Sequence, residues 1–420
     1  MERMLLLSPF IYLKKYLTLT DIDRTKEGEH LMYSLLLALI YLAFISLGLP
    51  DALLGSAWPV MYPLLKVPVA YAGIVAMIIA GGTIISSLNA NRVISRFGTG
   101  LVTAASVLMT AVALFGFSLS SAFWMLCLWA VPYGLGAGAV DAALNNFVAL
   151  HYASKHMSWL HCFWGVGASI GPYIMGYSLT VKNSWERGYA SVGLFQLILA
   201  VILIFSLPVW RKKEQSQWES QTVTPKNLSI IEALRIKGVK QVLLAFFGYC
   251  ALEGTTGLWT SSYLVLHRGL EAEAAARWAS LFYLGITVGR FLNGFVADRL
   301  GNRNMIRIGL AIITVGLVAV ILPIRIGLVT LGGLVMIGLG CAPIYPCIIH
   351  ETPRNFGAEN SQAIIGIQMA SAYTGSTLMP PLFGWLANLL TIALFPFYLS
   401  LLLVLMVVMT ERLNRLISVK

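Results

Sequence analysis

The 420 residues are 58% hydrophobic and only 11% charged. Soluble domains carry about 25% charged residues, so the composition excludes a soluble globular or disordered chain and leaves a polytopic helical membrane protein. The formal net charge of +11 does not point to nucleic acid, because the basic residues lie between apolar segments, where they follow the positive-inside rule.

Residues 1–30 begin MERMLLLSPFIYLKK, a short apolar run without a small-residue cleavage site, and are expected to form a cytoplasmic or interface-lying extension. A spanning helix needs about 20 apolar residues. Twelve segments meet that need, at 31–62, 69–90, 101–120, 122–150, 158–180, 188–210, 239–266, 275–299, 305–323, 326–350, 360–386 and 389–410. The polar stretch 211–238 divides them six and six. The expected organisation is therefore a first bundle over 31–210, a central loop over 211–238, a second bundle over 239–411 and a tail over 412–420. The face holding the termini, the central loop and alternate short loops carries 22 Lys and Arg residues, against six on the other. That asymmetry places both termini in the cytoplasm of a multi-pass cell-membrane protein.

The halves repeat. SSLNANRVISRFG (86–98) aligns with GRFLNGFVADRLG (289–301) at a shift of 203, so that Gly82, Arg96 and Gly98 fall on Gly285, Arg299 and Gly301. Gly134 and Gly136 match Gly338 and Gly340 at a shift of 204, while Gly167, Pro172 and Gly176 match Gly375, Pro380 and Gly384 at 208. Duplication of a six-helix unit accounts for these shifts, and such repeats imply two bundles rocking about a midplane site.

GLGAGAVDAALNNFV (134–148) is the stretch around which the chemistry gathers. Its glycines allow close helix approach, and Asp141 and Asn145 share one helix face. A carboxylate in lipid costs about 2.5–3.5 kcal/mol on insertion scales, so it faces a cavity or a partner. Asp51, Asp141 and Glu253 all lie well inside spans. Burial penalises the charged form of such groups and turns the charge into a switch, as proton coupling needs. His161 opens the fifth span, where it either relays protons with Asp141 or makes an interhelical hydrogen bond. Arg290, eight residues before Asp298, is read first as a gating contact and second as a clamp for an anion. No second buried cation supports the clamp, which favours a neutral substrate.

Trp164 and Trp259 are candidates for stacking on a sugar ring, with Asn145, Asn146, Asn293, Gln368 and Asn388 supplying amides for hydroxyls. Packing is the alternative for each tryptophan. Five cysteines, Cys127, Cys162, Cys250, Cys341 and Cys347, lie in apolar stretches without metal-ligand spacing and read as small buried hydrophobes. Neither GxxxxGK[ST] nor a post-strand GxGxxG occurs, so no nucleotide, metal or other cofactor is expected, and neither is an enzyme.

GFVADRLGNR (294–303) resembles the loop motif of the major facilitator superfamily, with Ser95 at the aspartate position of its first-half copy. This resemblance implies an all-α membrane protein with twelve transmembrane helices in two pseudo-symmetric six-helix bundles. It also implies that Asp298 and Arg299 latch the cytoplasmic side. GLGAGAVDAALNNFV further resembles the helix 4 pattern of the fucose–galactose–glucose:proton symporters, in which an acid, an asparagine four residues on and Phe-Val correspond to Asp141, Asn145, Phe147 and Val148. Asp51 in GLPDALLG matches that family's helix 1 acid, and APIYPCIIHETPRNFG (342–357) is similar to related helix 10 ends. The family has glutamate at Asp141 and glutamine at His161.

The expectation is therefore secondary transport of a neutral solute, most simply a monosaccharide, by a monomeric proton symporter working by alternating access. Asp51, Asp141, Glu253 and His161 are the coupling candidates. Asp51, Asn145, Asn146, Trp164, Trp259, Asn293 and Gln368 are the substrate candidates, and Arg290, Asp298 and Arg299 the gating ones. A sodium-coupled sugar carrier and a proton-antiport exporter of amphipathic or lipid-linked substrates remain alternatives.

Overall fold

A computed structural model describes residues 32–51, 53–68, 71–220, 228–322 and 327–417. The expected extension over 1–30, the central-loop residues 221–227 and the last three residues of the tail lie outside the described residues.

The described chain is a succession of helices. The first, α1 (32–48), breaks at Pro50, whose ring nitrogen cannot donate, and resumes as α2 (Leu53–Leu64). The break leaves Asp51 in a turn at mid-span, its N–H donating to the Gly48 carbonyl at 3.2 Å. Then follow α3 (Ala72–Phe97), α4 (Thr99–Ser118), α5 (Phe123–His151), α6 (Ser154–Val181) and α7 (Trp185–Ser220). After the short α8 (Ile230–Arg235) come α9 (Val239–Leu266), α10 (Ala272–Leu300), α11 (Asn302–Ile321), α12 (Gly327–Cys341), α13 (Ile344–Phe356), α14 (Ala358–Leu389) and α15 (Phe395–Ile417). Several helices outrun the apolar segments that announce them. α7 continues to Ser220 rather than 210 and α13 to Phe356 rather than 350, because hydropathy marks only the part in lipid while backbone hydrogen bonding carries on into water.

Ten of the described helical stretches are both long and apolar enough to cross a membrane, α1 with α2 and α12 with α13 each counting as one. The remaining two spans, α6 and α14, have 28 and 32 residues, long enough but more polar. They are the pair matched at the shift of 208, and both run along the junction between the bundles, α6 against α10 and α14 against α3. Several of their polar side chains, among them His161, Gln362 and Tyr373, face the other bundle or the cavity.

The duplication is repeated in packing. A Cβ on Gly134 would sit 2.3 Å from the Ile79 carbonyl oxygen, and one on Gly338 2.3 Å from that of Phe282. The pair Gly136 and Ser106 recurs as Gly340 and Gly309, at 2.8 and 2.7 Å. Gly167 presses on the Ile45 carbonyl as Gly375 does on that of Phe247. In each half the first and fifth spans, the second and fourth, and the third and fourth therefore touch backbone to backbone.

On the face where α5, α10 and α13 end, the bundles meet through polar contacts. Asn302 at the start of α11 accepts from Ser154 Oγ, and its Nδ2 donates to Glu351 Oε2 at 2.9 Å and to His350 Nδ1 at 3.0 Å. His350 Nε2 donates to the Tyr152 carbonyl at 2.9 Å. Asn146 Nδ2 donates to Gln362 Oε1 at 2.7 Å, and Ser361 donates to Asn146 Oδ1. These bonds tie α5 and α6 to α11, α13 and α14, and seal this face.

Candidate functional site

Beyond the seal, the two bundles enclose a cavity of about 460 Å³. The first bundle contributes Asp51, Tyr133, Asp141, His161 and Trp164; the second contributes Glu253, Tyr283, Arg290, Tyr345 and Tyr373. None of the sealing residues named above lines it, so the cavity is closed off from that face.

Asp141 is 4% exposed and sits on the one fully glycine-packed stretch of α5. Its Oδ1 accepts from Asn145 Nδ2 at 2.8 Å, one turn on. Its Oδ2 accepts from the Tyr373 hydroxyl at 2.6 Å, and Tyr373 belongs to α14 in the other bundle. Asn145 Oδ1 in turn accepts from His161 Nε2 at 3.1 Å. Because the amide nitrogen of Asn145 is turned to the carboxylate, its oxygen is left for the histidine, which must donate. The chain His161, Asn145, Asp141 therefore runs donor to acceptor and ends on a carboxylate that also receives a hydrogen bond across the bundle junction. His161 is held between the rings of Phe44 and Tyr345, at centroid distances of 5.4 and 4.4 Å.

Asp51 is exposed to the cavity and accepts from Trp164 Nε1 at 3.0 Å. Across from it Arg290, 3% exposed, places Nη2 3.3 Å from Glu253 Oε1 and 3.3 Å from the Tyr249 hydroxyl. The guanidinium carbon stands 5.9 Å from the Trp164 ring centroid, a cation–π approach between bundles. Arg290 Nε is buried without an acceptor.

The other expected site residues are placed elsewhere. Asn146 belongs to the seal. Trp259 does not line the cavity but packs between α9 and α14, donating to the Pro380 carbonyl at 2.9 Å with its ring edge-on to Phe383. Its bulk fills the space over Gly384, where a Cβ would lie 2.4 Å from the indole. Gln368 is buried within the second bundle and accepts from Thr352 at 3.0 Å, and Asn293 on α10 has a buried, unpartnered amide away from the cavity wall. Arg290, read first as a gating contact and second as an anion clamp, lines the cavity. Asp298 does bridge the bundles, accepting from the Lys155 backbone N–H at 3.2 Å with the Lys155 ammonium at 4.0 Å. Arg299 beside it is exposed and makes no ion pair among the described residues. The tyrosines are what the sequence reading missed. Tyr345 stands at the repeat position of Asp141, 204 residues on, and that equivalence was the available signal. Tyr373, two residues before the matched Gly375, carried no comparable mark.

The model of the Major Facilitator Superfamily matches residues 40–349 and, in a second overlapping match, 272–415. The chain belongs to the major facilitator superfamily. Among curated proteins it is similar to bypass of stop codon protein 6 of Saccharomyces cerevisiae, at 26% identity over 287 residues, 61% of this chain and 56% of that protein. It is also similar to the glucose/mannose transporter GlcP of Bacillus subtilis, at 25% identity over 307 residues, 71% of this chain and 74% of that one. The chain thus spans little more than half the length of the yeast relative. Its fold matches the crystal structure of the transporter FucP in the outward conformation with a TM-score of 0.68, at 16% identity, over 90% of this chain and 99% of that one. GlcP and FucP are both described as transporters.

Proposed function

We propose that the protein is a proton-coupled symporter of a neutral monosaccharide in the plasma membrane, working as a monomer with both termini in the cytoplasm. The excess of basic residues on the sealed face supports a cytoplasmic assignment of that face, with the cavity taking solute from outside. The observation that carries the reading is the carboxylate of Asp141, bonded within its own bundle to Asn145 and across the junction to Tyr373. A charged Asp141 accepts both bonds and holds the bundles together beneath the cavity. A proton on Asp141 removes one acceptor site and the charge that strengthens the bond, so loading the proton loosens the junction that must open for release inside. The second acid, Asp51, meets solute first because it is exposed and, among the described residues, its carboxylate is held by Trp164. Support for a sugar comes from the size of the cavity, within the roughly 300–1,000 Å³ of small-molecule sites, from its lining of aromatic faces among hydrogen-bonding groups, and from the similarity to GlcP.

The test is uptake of labelled hexoses into proteoliposomes with and without an inward proton gradient. Acid-driven accumulation of one hexose is expected. Accumulation driven by sodium alone would recast the acids as cation ligands, and proton-driven movement of an amphipathic dye without any hexose would overturn the sugar assignment.

A further inference from the structure

We infer that the Glu253–Arg290 pair is a recognition subsite for a single substrate hydroxyl, one that donates to the glutamate and accepts from the guanidinium. The inference rests on the sugar reading above and names the residues that do the recognising in the second bundle.

The pair is loosely made for one so enclosed. Two charges with side chains only 4% and 20% exposed approach through one 3.3 Å contact, where charge-assisted bonds usually run about 2.7–2.9 Å and Arg pairs with carboxylates through both arms. The other hydrogen bond of Nη2 goes to Tyr249 at the same 3.3 Å. Nε is shielded from solvent with nothing to donate to, a condition that costs free energy until an acceptor arrives. Glu253, by contrast, lines the cavity with a fifth of its side chain exposed (20%). An incompletely used donor beside an incompletely used acceptor selects a group that is both.

Charge decides among the groups that could sit there. A substrate carboxylate only accepts, and it would face Glu253, Asp51 and Asp141 against one Arg290. An ammonium only donates, and would leave Nε unpartnered beside a like charge. A hydroxyl donates to Glu253 and accepts from Arg290 without adding charge. Trp164 supplies the neighbouring surface, its ring 5.9 Å from the guanidinium and its N–H on Asp51. A ring laid along this indole would reach Asp51 on one side and the ion pair on the other, so both bundles hold one solute.

The experiment is a binding cycle on the full chain in nanodiscs. The tightest binder among D-glucose, D-galactose, D-mannose and L-fucose is titrated, together with its monodeoxy analogues, against the wild type, Arg290→Lys and Glu253→Gln. Arg290→Lys keeps a cation opposite Glu253 and so protects the fold, but removes the guanidinium fork. Bonds to charged groups of this kind correspond to about 10- to 100-fold in affinity. The expected result is one hydroxyl position whose loss weakens the wild type by that factor but leaves each variant unchanged. If deoxygenation and substitution multiply at every position, or both variants bind the parent sugar like the wild type, the subsite is wrong while the sugar reading stands. Should the wild type bind no hexose but bind gluconate or another carboxylate, both readings fall together.

Discussion

The two halves of the molecule are alike in how they pack and unlike in what they hold. Gly134 on Ile79, Gly136 on Ser106 and Gly167 on Ile45 recur as Gly338 on Phe282, Gly340 on Gly309 and Gly375 on Phe247. At the cavity the equivalence breaks down. Asp51 and Glu253 stand at matching places 202 residues apart, yet Asp51 has an indole N–H for a partner and Glu253 a guanidinium. Asp141 faces Tyr345 as its counterpart, and Arg290 corresponds to Ser87, which is buried in the α3–α14 junction. The first half thus brings acids without a compensating cation, while the second brings a compensated pair and hydroxyls. Backbone approach tolerates no substitution, so the duplicated packing stays symmetric; side chains that end in a cavity are free to diverge. The contrast between a half that brings lone acids and a half that brings an ion pair grows from that freedom.

Substitution of the acids should break this comparison most sharply. Asp141→Asn keeps the side-chain shape but leaves one acceptor oxygen where the carboxylate has two and fixes a neutral side chain, and it should abolish proton-driven accumulation in proteoliposomes while leaving sugar exchange across the membrane intact. Glu253→Gln should do the reverse, weakening sugar binding while accumulation of whatever binds still follows the proton gradient. Equal loss of driving in both variants would remove the distinction between the halves.

The glycines test the symmetric part. Gly134→Ala and Gly338→Ala each put a methyl group 2.3 Å from a carbonyl oxygen of a neighbouring helix. Neither backbone can retreat without moving a span, and overpacking of this kind costs typically about 1–3 kcal/mol. Thermal unfolding in detergent should show equal losses in the two halves. A loss confined to one half would mean that the packing equivalence is not energetic.

Tyr373→Phe removes the bond between bundles at Asp141 but not its partner Asn145. A hydrogen bond to a charged group contributes about 1.5–3 kcal/mol, so the sealed arrangement should lose roughly tenfold or more in population. Labelling of single cysteines introduced behind the seal would report the opening, and its dependence on external pH should flatten, since Asp141 would no longer pass its charge state to α14. Unchanged labelling with an unchanged pH profile would take Tyr373 out of the coupling path.

The architecture was legible because it rests on length, apolarity and repetition: twelve segments, a polar divide and three glycine sets gave the bundles and their equivalence. The residues gathered around the cavity were legible where one residue type has few uses in lipid, as with Asp51, Asp141, Glu253 and Arg290. Amides and indoles have many uses, and they scatter: Trp164 lines the cavity and Asn145 meets Asp141, while others lie elsewhere. Gln368 and Asn146 satisfy polar neighbours inside a bundle and across the seal, and Trp259 packs over a glycine. Helical periodicity places a side chain on a face; it cannot say whether the cavity, the seal or the other bundle lies opposite. The boundaries at 210 and 350 fell short for the separate reason that hydropathy ends before the helix does.

The loop motifs sharpen the comparison at a smaller scale. Asp298 meets Lys155 of the other bundle, whereas Ser95, at the matching place in the first half, only returns its hydroxyl to the Arg92 carbonyl at 3.2 Å. The contact between bundles at the loop motifs is thus one-sided among the described residues. With both partners about 40% exposed, the pair contributes on the order of 0–1 kcal/mol, although the backbone N–H of Lys155 adds a bond that Asp298→Asn would partly keep. Asp298→Ala should therefore raise inward opening by a factor of a few, well below the effect of Tyr373→Phe, as read by the same cysteine labelling.

The smallest effect belongs to the linker, which has no counterpart in either half. Helix α8 begins with a capping box in which Ser229 N–H and hydroxyl both donate to Glu232 Oε2 at 2.8 Å, and Glu232 N–H donates back to Ser229 Oγ at 3.3 Å. The hydrogen bonds from the Ser229 backbone and side chain hold the Glu232 carboxyl below its ordinary value, near 4.3 for a free glutamate by approximate reference. Since the folded value is depressed, the cap's contribution is present in full above that ordinary value and fades as pH falls through the lower, folded one. The side chain is solvent-exposed, so the whole transport cycle at neutral pH should not notice the loss. Titration of glutamate carboxyl carbons by NMR should find Glu232 protonating below the other exposed glutamates, and Ser229→Ala should bring it back among them. A Glu232 that titrates with the rest in the unaltered protein would mean that the box is open in solution and that α8 is held by its contacts with α9 and α14.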